Sequence, residues 1–308
     1  MKMMTCRSNA LKRLGVPDST PRLFTVEGNR VLVMDGDAAC YQVASKIKTL
    51  GTALRHFKMK ILEAMFLTKC STARVHVTPK GCLKAGRHKI IAVKPYQGNR
   101  LLSKKPPLLE ALRDQVHTVS NNEITVLKHY DVEADDAVMM DAYEYADRCV
   151  VWSEDKDLRA VPCPYYELST GRIDKITDGF GWIKMSETES GIKKLVGHGR
   201  KFFWAQMLMG DTADNIQGII SVNGKKCGLV HAYELLKDAR TEDDAANIVV
   251  DLYKQIDQDI IAEGELLWLH RSIGDSFAHY ATTDLALTKE NMNFVLDCYG
   301  RPHYVGEA

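Results

Sequence analysis

Short apolar, β-branched runs recur through the first half of the chain, each closed by polar or turn-forming residues. They read RVLVM at 30–34, ARVHVT at 73–78, ITVL at 124–127 and CVVW at 149–152. Runs of that length without alternation suit strands buried on both faces of a parallel sheet. Between them the apolar period changes. In 52–69 (TALRHFKMKILEAMFLTK), Leu54, Phe57, Ile61, Leu62 and Met65 fall near helical spacing, and DAACYQVASKIKTL, from Asp37, begins another helix. KKPPLLEALRD opens a helix after Pro106 and Pro107, since proline is accepted in a first turn. ITVL, a helix over about 135–146, and CVVW form a βαβ unit. YYELSTGRIDKI (165–176) predicts a hairpin turning at Gly171 that extends the sheet. From Lys201 onward helices dominate: FFWAQMLMGD, a glycine-containing turn, then LVHAYELLKD. The pattern predicts three parts: a basic, proline-containing flexible arm at 1–24, an α/β core at 25–200, and a helical region at 201–308.

Composition narrows this little. The chain has 308 residues, 45% of them hydrophobic, enough for a core with a smaller appendage. No apolar stretch approaches the roughly 20 residues needed to cross a bilayer. The first residues lack a signal peptide's apolar block, so a cytoplasmic location without membrane attachment is expected. Eight cysteines lie scattered without a CxxC pair and read as reduced thiols rather than a zinc site. The net charge of +1 is uninformative, but its distribution is not. From Lys80 to Lys105 the chain carries Lys80, Lys84, Arg87, Lys89, Lys94, Arg100, Lys104 and Lys105 with no acidic residue.

Acidic residues gather elsewhere, in EADD (Glu133, Asp135, Asp136), SEDKD (Asp155, Asp157) and GDTADN (Asp211, Asp214), with Asp35 upstream in VLVMDGD. Three of these groups follow predicted strands. If the strands are parallel neighbours, the carboxylates meet in the crevice beyond their C-terminal ends, where open α/β sheets bind ligands. Each close like-charged pair costs roughly 4 kcal/mol at an effective dielectric near 20, so such a cluster calls for cations. Oxygen ligands without histidine point to Mg²⁺, with Mn²⁺ as a substitute. Taken singly, each group has a plainer reading: Asp135 as a helix cap, Asp155 and Asp157 as acids of a polar turn, Asp211 and Asp214 as an Asx turn at a helix end. Their occurrence together, opposite a basic segment, fits a polyanion gripped on one side and cut on the other.

The segments LVMDGD (32–37), YQGNR (96–100), VEADD (132–136), SEDKDL (153–158) and GDTADNIQGI (210–219) resemble the 5′-nuclease family. That family comprises flap endonucleases, the nuclease domain of bacterial DNA polymerase I and, nearest in motif, the short 5′→3′ exonucleases of tailed phages. SVNGKKCGLVHAYELL (221–236) resembles the family's helix–hairpin element, and the likeness spans about 30–240. It implies a PIN-like α/β parallel-sheet core, a basic helical arch at about 80–121, and a C-terminal helix–hairpin–helix region with its DNA-binding element at about 210–240. The implied reaction is metal-dependent hydrolysis of phosphodiesters in duplex DNA from 5′ ends or flaps, or of RNA primers in RNA–DNA hybrids. The setting would be phage replication or host DNA degradation, in the host cytoplasm, alongside single-strand-binding or replication proteins.

Carried onto this chain, Asp35, Glu133, Asp135, Asp136 and Asp155 would serve a first metal, and Asp155, Asp157, Asp211 and Asp214 a second. Asp35, Arg87 and Asp155 would be catalytic. Arg87, Lys94, Tyr96, Arg100, Lys104 and Lys105 in the arch, with Asn223, Gly224, Lys225 and Lys226 in the hairpin, would contact DNA. Tyr96 would either stack on a terminal base or pack within the arch. K⁺ is expected at the hairpin, although Ile220 and Ser221 stand where the family has Pro and Gly. Two further departures stand out. Thr78 and Pro79 replace an aspartate after the second strand, and Gln97 replaces the arch lysine that neutralises the scissile phosphate, a role expected to pass to Arg87 or Lys94. Two rivals remain: a haloacid-dehalogenase-type phosphatase with Asp35 as nucleophile, and a non-catalytic nucleic-acid-binding relative.

Overall fold

A computed structural model describes residues 29–102, 104–168, 170–174, 178–188 and 190–305. The arm expected at 1–24 lies outside the described residues. Strands β1 (Val31–Asp35), β2 (Thr72–Val77), β3 (Ile124–Lys128), β4 (Cys149–Trp152), β5 (Tyr165–Glu167) and β6 (Arg172–Asp174) form one sheet in the order β3-β2-β1-β4-β5-β6. The first five are mutually parallel; β6 pairs antiparallel with β5, closing the hairpin expected there. Helices α1 (Gly36–Lys46), α2 (Leu50–Thr68), α3 (Leu109–Gln115) and α4 (Ala134–Tyr145) supply the crossovers.

Side-chain alternation along the strands feeds two cores. Leu32, Met34, Val150 and Trp152 face α1, α2 and α3, with Phe57, Ile61 and Leu112. Val33 and Val151 face α4, with Val138, Met139 and Ala142. Both faces of the sheet are therefore apolar, which is why the strands read as unbroken runs.

A third core joins α5 (Arg200–Met209), α6 (Leu229–Leu236), α7 (Glu242–Gln255), α8 (Ile260–Leu267), α9 (Phe277–Thr283) and α10 (Lys289–Tyr299). Its centre is aromatic: Phe203, Trp204, Trp268, Phe277 and Tyr280, mostly edge-on, with ring centroids 4.4–6.5 Å apart. An antiparallel pair that the sequence reading did not anticipate, β7 (Trp182–Glu187) and β8 (Lys193–His198), packs on α5 and α6. It belongs with the helical half, not with the six-stranded sheet.

The basic segment departs from the expected form. Among the described residues, its regular structure between β2 and α3 is 3₁₀, within Lys84–Lys89, which is kinked at Ala85 and Gly86, and in Gly98–Leu102. Its middle is tied down by the amide of Ile91 to the carbonyl of His303 (2.8 Å) and the amide of Val93 to Glu263 Oε1 (3.0 Å). Glu263 on α8 is only 1% exposed, and its other oxygen accepts from the amide of Gly218 at 3.0 Å.

Candidate active site

Strand order reverses at β1, which lies between β2 and β4. The crevice past the C-terminal ends of β1 and β4 is the ligand position of such sheets. Asp35 ends β1. Its Oδ1 caps α1 by accepting from the amides of Asp37 (2.9 Å) and Ala38 (3.3 Å), and its Oδ2 accepts from Ser153 Oγ (2.9 Å). Ser153 in turn accepts from the amide of Asp155, and Asp155 Oδ1 from the amide of Asp157, each at 2.9 Å. One hydroxyl thus links the carboxylate ending β1 to those following β4. The residues after Trp152 turn, and Asp157 starts a 3₁₀ turn, so Asp155 and Asp157 are brought together by a bend rather than by extended alternation.

Electrostatics mark this as an unneutralised cluster. Burial, then the charge of Asp157 and, further down, that of Asp35, push Asp155 up to about 7. Burial, then the charges of Asp35, Asp155, Glu133 and Asp37, drive Asp135 well above the carboxylate range. Burial likewise raises Asp35 against its hydrogen bonds. Carboxylates that raise one another in this way have the composition of a hard-cation site.

A second group adjoins it. Asp157, Asp211 and Asp214 each offer an oxygen within 4.8 Å of the others. The loop carrying the last two is closed by paired amide–carbonyl bonds between Asp211 and Ile216 (2.9 and 2.7 Å). Gly210 and Gly218 abut beneath it at φ 72° and 67°; a Cβ on Gly210 would lie 2.4 Å from the Gln217 carbonyl. Lys156 Nζ bonds Asp157 Oδ1 (2.8 Å) and Asp211 Oδ2, and Gln206 Nε2 donates to Asp157 Oδ1 (2.7 Å). The YQGNR segment is bolted to this loop. The amide of Gln97 donates to the Asp214 carbonyl (2.8 Å), Asn99 to the Thr212 carbonyl (2.8 Å), and Arg100 pairs with Asp214 Oδ1 at 2.6 Å.

Two expectations need correction. Arg87 is 2% exposed and Asp136 fully buried, and the two form a bidentate pair at 2.6 and 2.7 Å. Arg87 also donates to the Trp268 carbonyl (2.6 Å) and reaches Glu133 Oε2 (3.4 Å). Asp136 further accepts from the amides of Glu133 and His270, both at 3.1 Å. Fully buried, with a buried guanidinium across both oxygens and two amides besides, Asp136 has no open side toward the crevice and is not a metal ligand. Burial would raise it, yet the Arg87 charge and hydrogen bonds hold it below its ordinary range. Arg87, spent on this pair, is available neither to a phosphate nor to DNA. Helix α4 begins in a capping box of Glu133, its N-cap, with Asp136, not in a cap by Asp135, which leaves Asp135 to the acidic cluster.

Tyr96 donates to Glu133 Oε2 at 2.6 Å, and its ring lies under Lys84 Nζ, 5.8 Å from the centroid. It orients Glu133 as part of the packed segment. At the position of the missing aspartate, Thr78 donates its amide to Asp37 Oδ1 (3.1 Å) and accepts from the amide of Ala134 at the start of α4 (2.9 Å). Asp37, paired with Arg113 at 3.0 Å and pushed up to about 6 chiefly by burial, is the further acid beside the cluster.

Lys94, Lys104 and Lys105 are exposed. So are Asn223, Gly224, Lys225 and Lys226, at the tip of a turn closed by Val222 and Lys225 through bonds of 2.8 and 3.1 Å. Asn223 (φ 51°) and Gly224 (φ 72°) give it type I′ geometry, for which Asn-Gly is the favoured pair.

Sequence reasoning missed Lys84, Ser153, Lys156, Gln206 and Glu263 as parts of the site. Ser153 and Lys156 lie inside a quoted motif and were legible as its spacers. Glu263, 45 residues from the amide it holds, carried no local signal.

No family model matches the chain, and no curated protein matches its sequence. Among solved structures, it is similar to a bacteriophage T5 protein co-crystallised with metal ions, at 14% identity and TM-score 0.51. It is also similar to the T5 flap endonuclease in a pseudo-enzyme–product complex with DNA and metal ions, at 13% identity and TM-score 0.53. Each comparison covers 88% of this chain and 98% of the other. The mixed α/β architecture is therefore that of the phage flap endonuclease fold.

Proposed function

We propose that this protein is a divalent-metal-dependent 5′-nuclease that hydrolyses phosphodiesters of DNA at 5′ ends or flaps. The observation that carries the reading is the pair of adjoining carboxylate groups at the sheet's switch point, linked through Asp155 and Asp157, on a flap-endonuclease fold. The residues fit two hard cations. Asp35, Glu133, Asp135 and Asp155 would hold one, and Asp157, Asp211 and Asp214 the other, with Mg²⁺ the natural occupant for an all-oxygen donor set. Such an ion pair supplies an activated water and charge stabilisation at the leaving oxygen.

The chain does the rest. Ser153 and the Asp155–Asp157 turn fix the carboxylates. Tyr96 and Gln97 fix Glu133 and Asp214. The exposed Asn223–Lys226 turn presents two ammonium groups and a flat main chain to a duplex backbone, with Lys94, Arg100, Lys104 and Lys105 on the side of the basic segment. K⁺ at the turn would draw on the second lone pairs of the Val222 and Lys225 carbonyls, each of which already accepts the other residue's amide. Activity on host-cytoplasmic DNA, or on the RNA of a hybrid, belongs to the same reading.

The test is 5′-labelled duplex, flap and RNA–DNA substrates incubated with Mg²⁺ or with EDTA, for the wild type and Asp155→Ala. Removing a ligand should cost more than the 10–100-fold of an outer-shell change, hence roughly 100-fold or more, while DNA binding in Ca²⁺ persists. Undiminished cleavage by Asp155→Ala, or cleavage in EDTA, would contradict the assignment.

A further inference from the structure

We infer that Lys84 is the cation that meets the scissile phosphate, and that Gln97 is the residue that positions it. The inference rests on the nuclease reading and adds a residue to it that no motif contains.

The backbone at this point is built for delivery. Lys84 and Ala85 adopt left-handed φ of 52° and 53°, and Gly86 follows at 75°. Each non-glycine residue so held costs roughly 1–2 kcal/mol and persists only where its surroundings fix it. Here they do. The amide of Leu83 donates to the Tyr130 carbonyl (2.6 Å), that of Ala85 to the Asp131 carbonyl (2.7 Å), and that of Lys84 to Cys82 Sγ (3.3 Å). The turn is thereby fastened to the segment that leads into Glu133.

The side chain then enters the cleft at the junction of the two carboxylate groups. Lys84 Nζ lies 3.0 Å from Glu133 Oε1 and donates to Gln97 Oε1. Gln97, itself left-handed at φ 52°, donates through Nε2 to Asp214 Oδ1 (2.8 Å) and Glu133 Oε1 (3.4 Å). Its amide therefore spans both groups while its oxygen holds the ammonium. A lysine at 97 could not do this, because an ammonium has no acceptor.

Other cations near the site are committed differently. Arg87 is sealed against Asp136, and Lys156 sits between Asp157 and Asp211 on the far side. The Lys84 side chain is 30% exposed, so its ammonium is restrained yet open to an incoming polyanion. Once Glu133 is engaged by a divalent ion, the ammonium loses its anion, and a phosphodiester oxygen is the replacement the cleft brings to it.

The experiment compares wild type, Lys84→Met, Lys84→Arg and the swap Lys84→Gln with Gln97→Lys. It measures single-turnover cleavage of a 5′-labelled flap, binding of the same DNA in Ca²⁺, Mg²⁺ affinity by calorimetry, and melting temperature. Lys84→Met should slow the single-turnover step roughly 100-fold, the scale for deleting one charge-stabilising donor, with Ca²⁺-supported DNA binding altered by no more than about threefold. Its Mg²⁺ affinity should hold or rise, since a competing cation has left Glu133. Lys84→Arg should retain part of the rate, and the swap should recover about tenfold of the loss by returning an ammonium to the junction. Three outcomes overturn the inference while the wild type cleaves: an unimpaired Lys84→Met, a fall in Mg²⁺ affinity that accounts for its loss, or a swap that restores nothing. A wild type that cleaves none of the substrates overturns the nuclease reading itself, and the inference with it.

Discussion

Replacing Arg87 by Met should destabilise the protein strongly, an effect to be measured before any effect on catalysis is read. The perturbation leaves Asp136 wholly buried with its guanidinium gone and the Trp268 carbonyl without its donor. Breaking a buried ion pair from one side costs about 3–5 kcal/mol, because the remaining charge is uncompensated. The orphaned carbonyl adds about 1 kcal/mol. A total near 4–6 kcal/mol translates into a melting point lower by about 8–24 °C, at roughly 2–4 °C per kcal/mol for a chain this large.

The pH dependence separates this cause from others. In the wild type, Asp136 is held below its unfolded value of 3.8, so its stabilising contribution is complete above that value and is lost as pH falls through the folded one. In Arg87→Met, burial is opposed only by the Glu133 and His270 side of the site and raises the carboxyl, so the deficit should be greatest at neutral pH and shrink as acid protonates Asp136. Adding Asp136→Asn to Arg87→Met removes the stranded charge and should recover about 2 kcal/mol or more. Differential scanning calorimetry from about pH 3 to 8, on metal-free and Mg²⁺-loaded protein, gives all of these. An Arg87→Met variant that melts within about 1 kcal/mol of wild type, yet fails to cleave, would refute the buried-pair assignment and return Arg87 to the substrate.

Lys225→Ala with Lys226→Ala should weaken duplex binding and lower the slope of log affinity against log salt by about 1–2, at about 0.9 per phosphate contact; an unchanged slope on duplex DNA would remove the turn from the interface. Lys156→Met should raise Mg²⁺ affinity severalfold, the equivalent of about 1 kcal/mol for a partly exposed ion pair, because a divalent ion must displace this ammonium from Asp157 and Asp211; calorimetric titration showing weaker binding would contradict that competition. His129, which contacts His76 Nδ1 at 2.9 Å, is lowered from 6.5 to about 4 by burial and by the charge of His76. The unfolded chain then binds the proton first, so stability should fall as pH drops from about 6.5 to about 4, a slope that His129→Gln should flatten in denaturant titrations at successive pH values.

Much of this protein was legible from its sequence. Buried parallel strands announce themselves as unbroken apolar runs, so β1 to β4 and the order in which their carboxylates follow were readable, and with them the acidic crevice. The Asn223–Gly224 turn was readable because left-handed backbone selects those residues locally. Partner choice was not. Asp135 and Asp136 are neighbours, yet one faces the carboxylate cluster and the other is sealed by Arg87, a division set by which side of α4 meets the Trp268–His270 segment. Arg87 and Lys84 lie three residues apart in one basic run and were indistinguishable as charges. Only the packing of residues 181 positions from Arg87 buries it, while the pinned left-handed turn at 84–86 leaves Lys84 at the cleft. Periodicity and turn chemistry are properties of adjacent residues, and the sequence alone determines them. Burial and charge pairing depend on segments that only the folded chain brings together, so tertiary structure decides which charge is structural and which is free to meet a ligand.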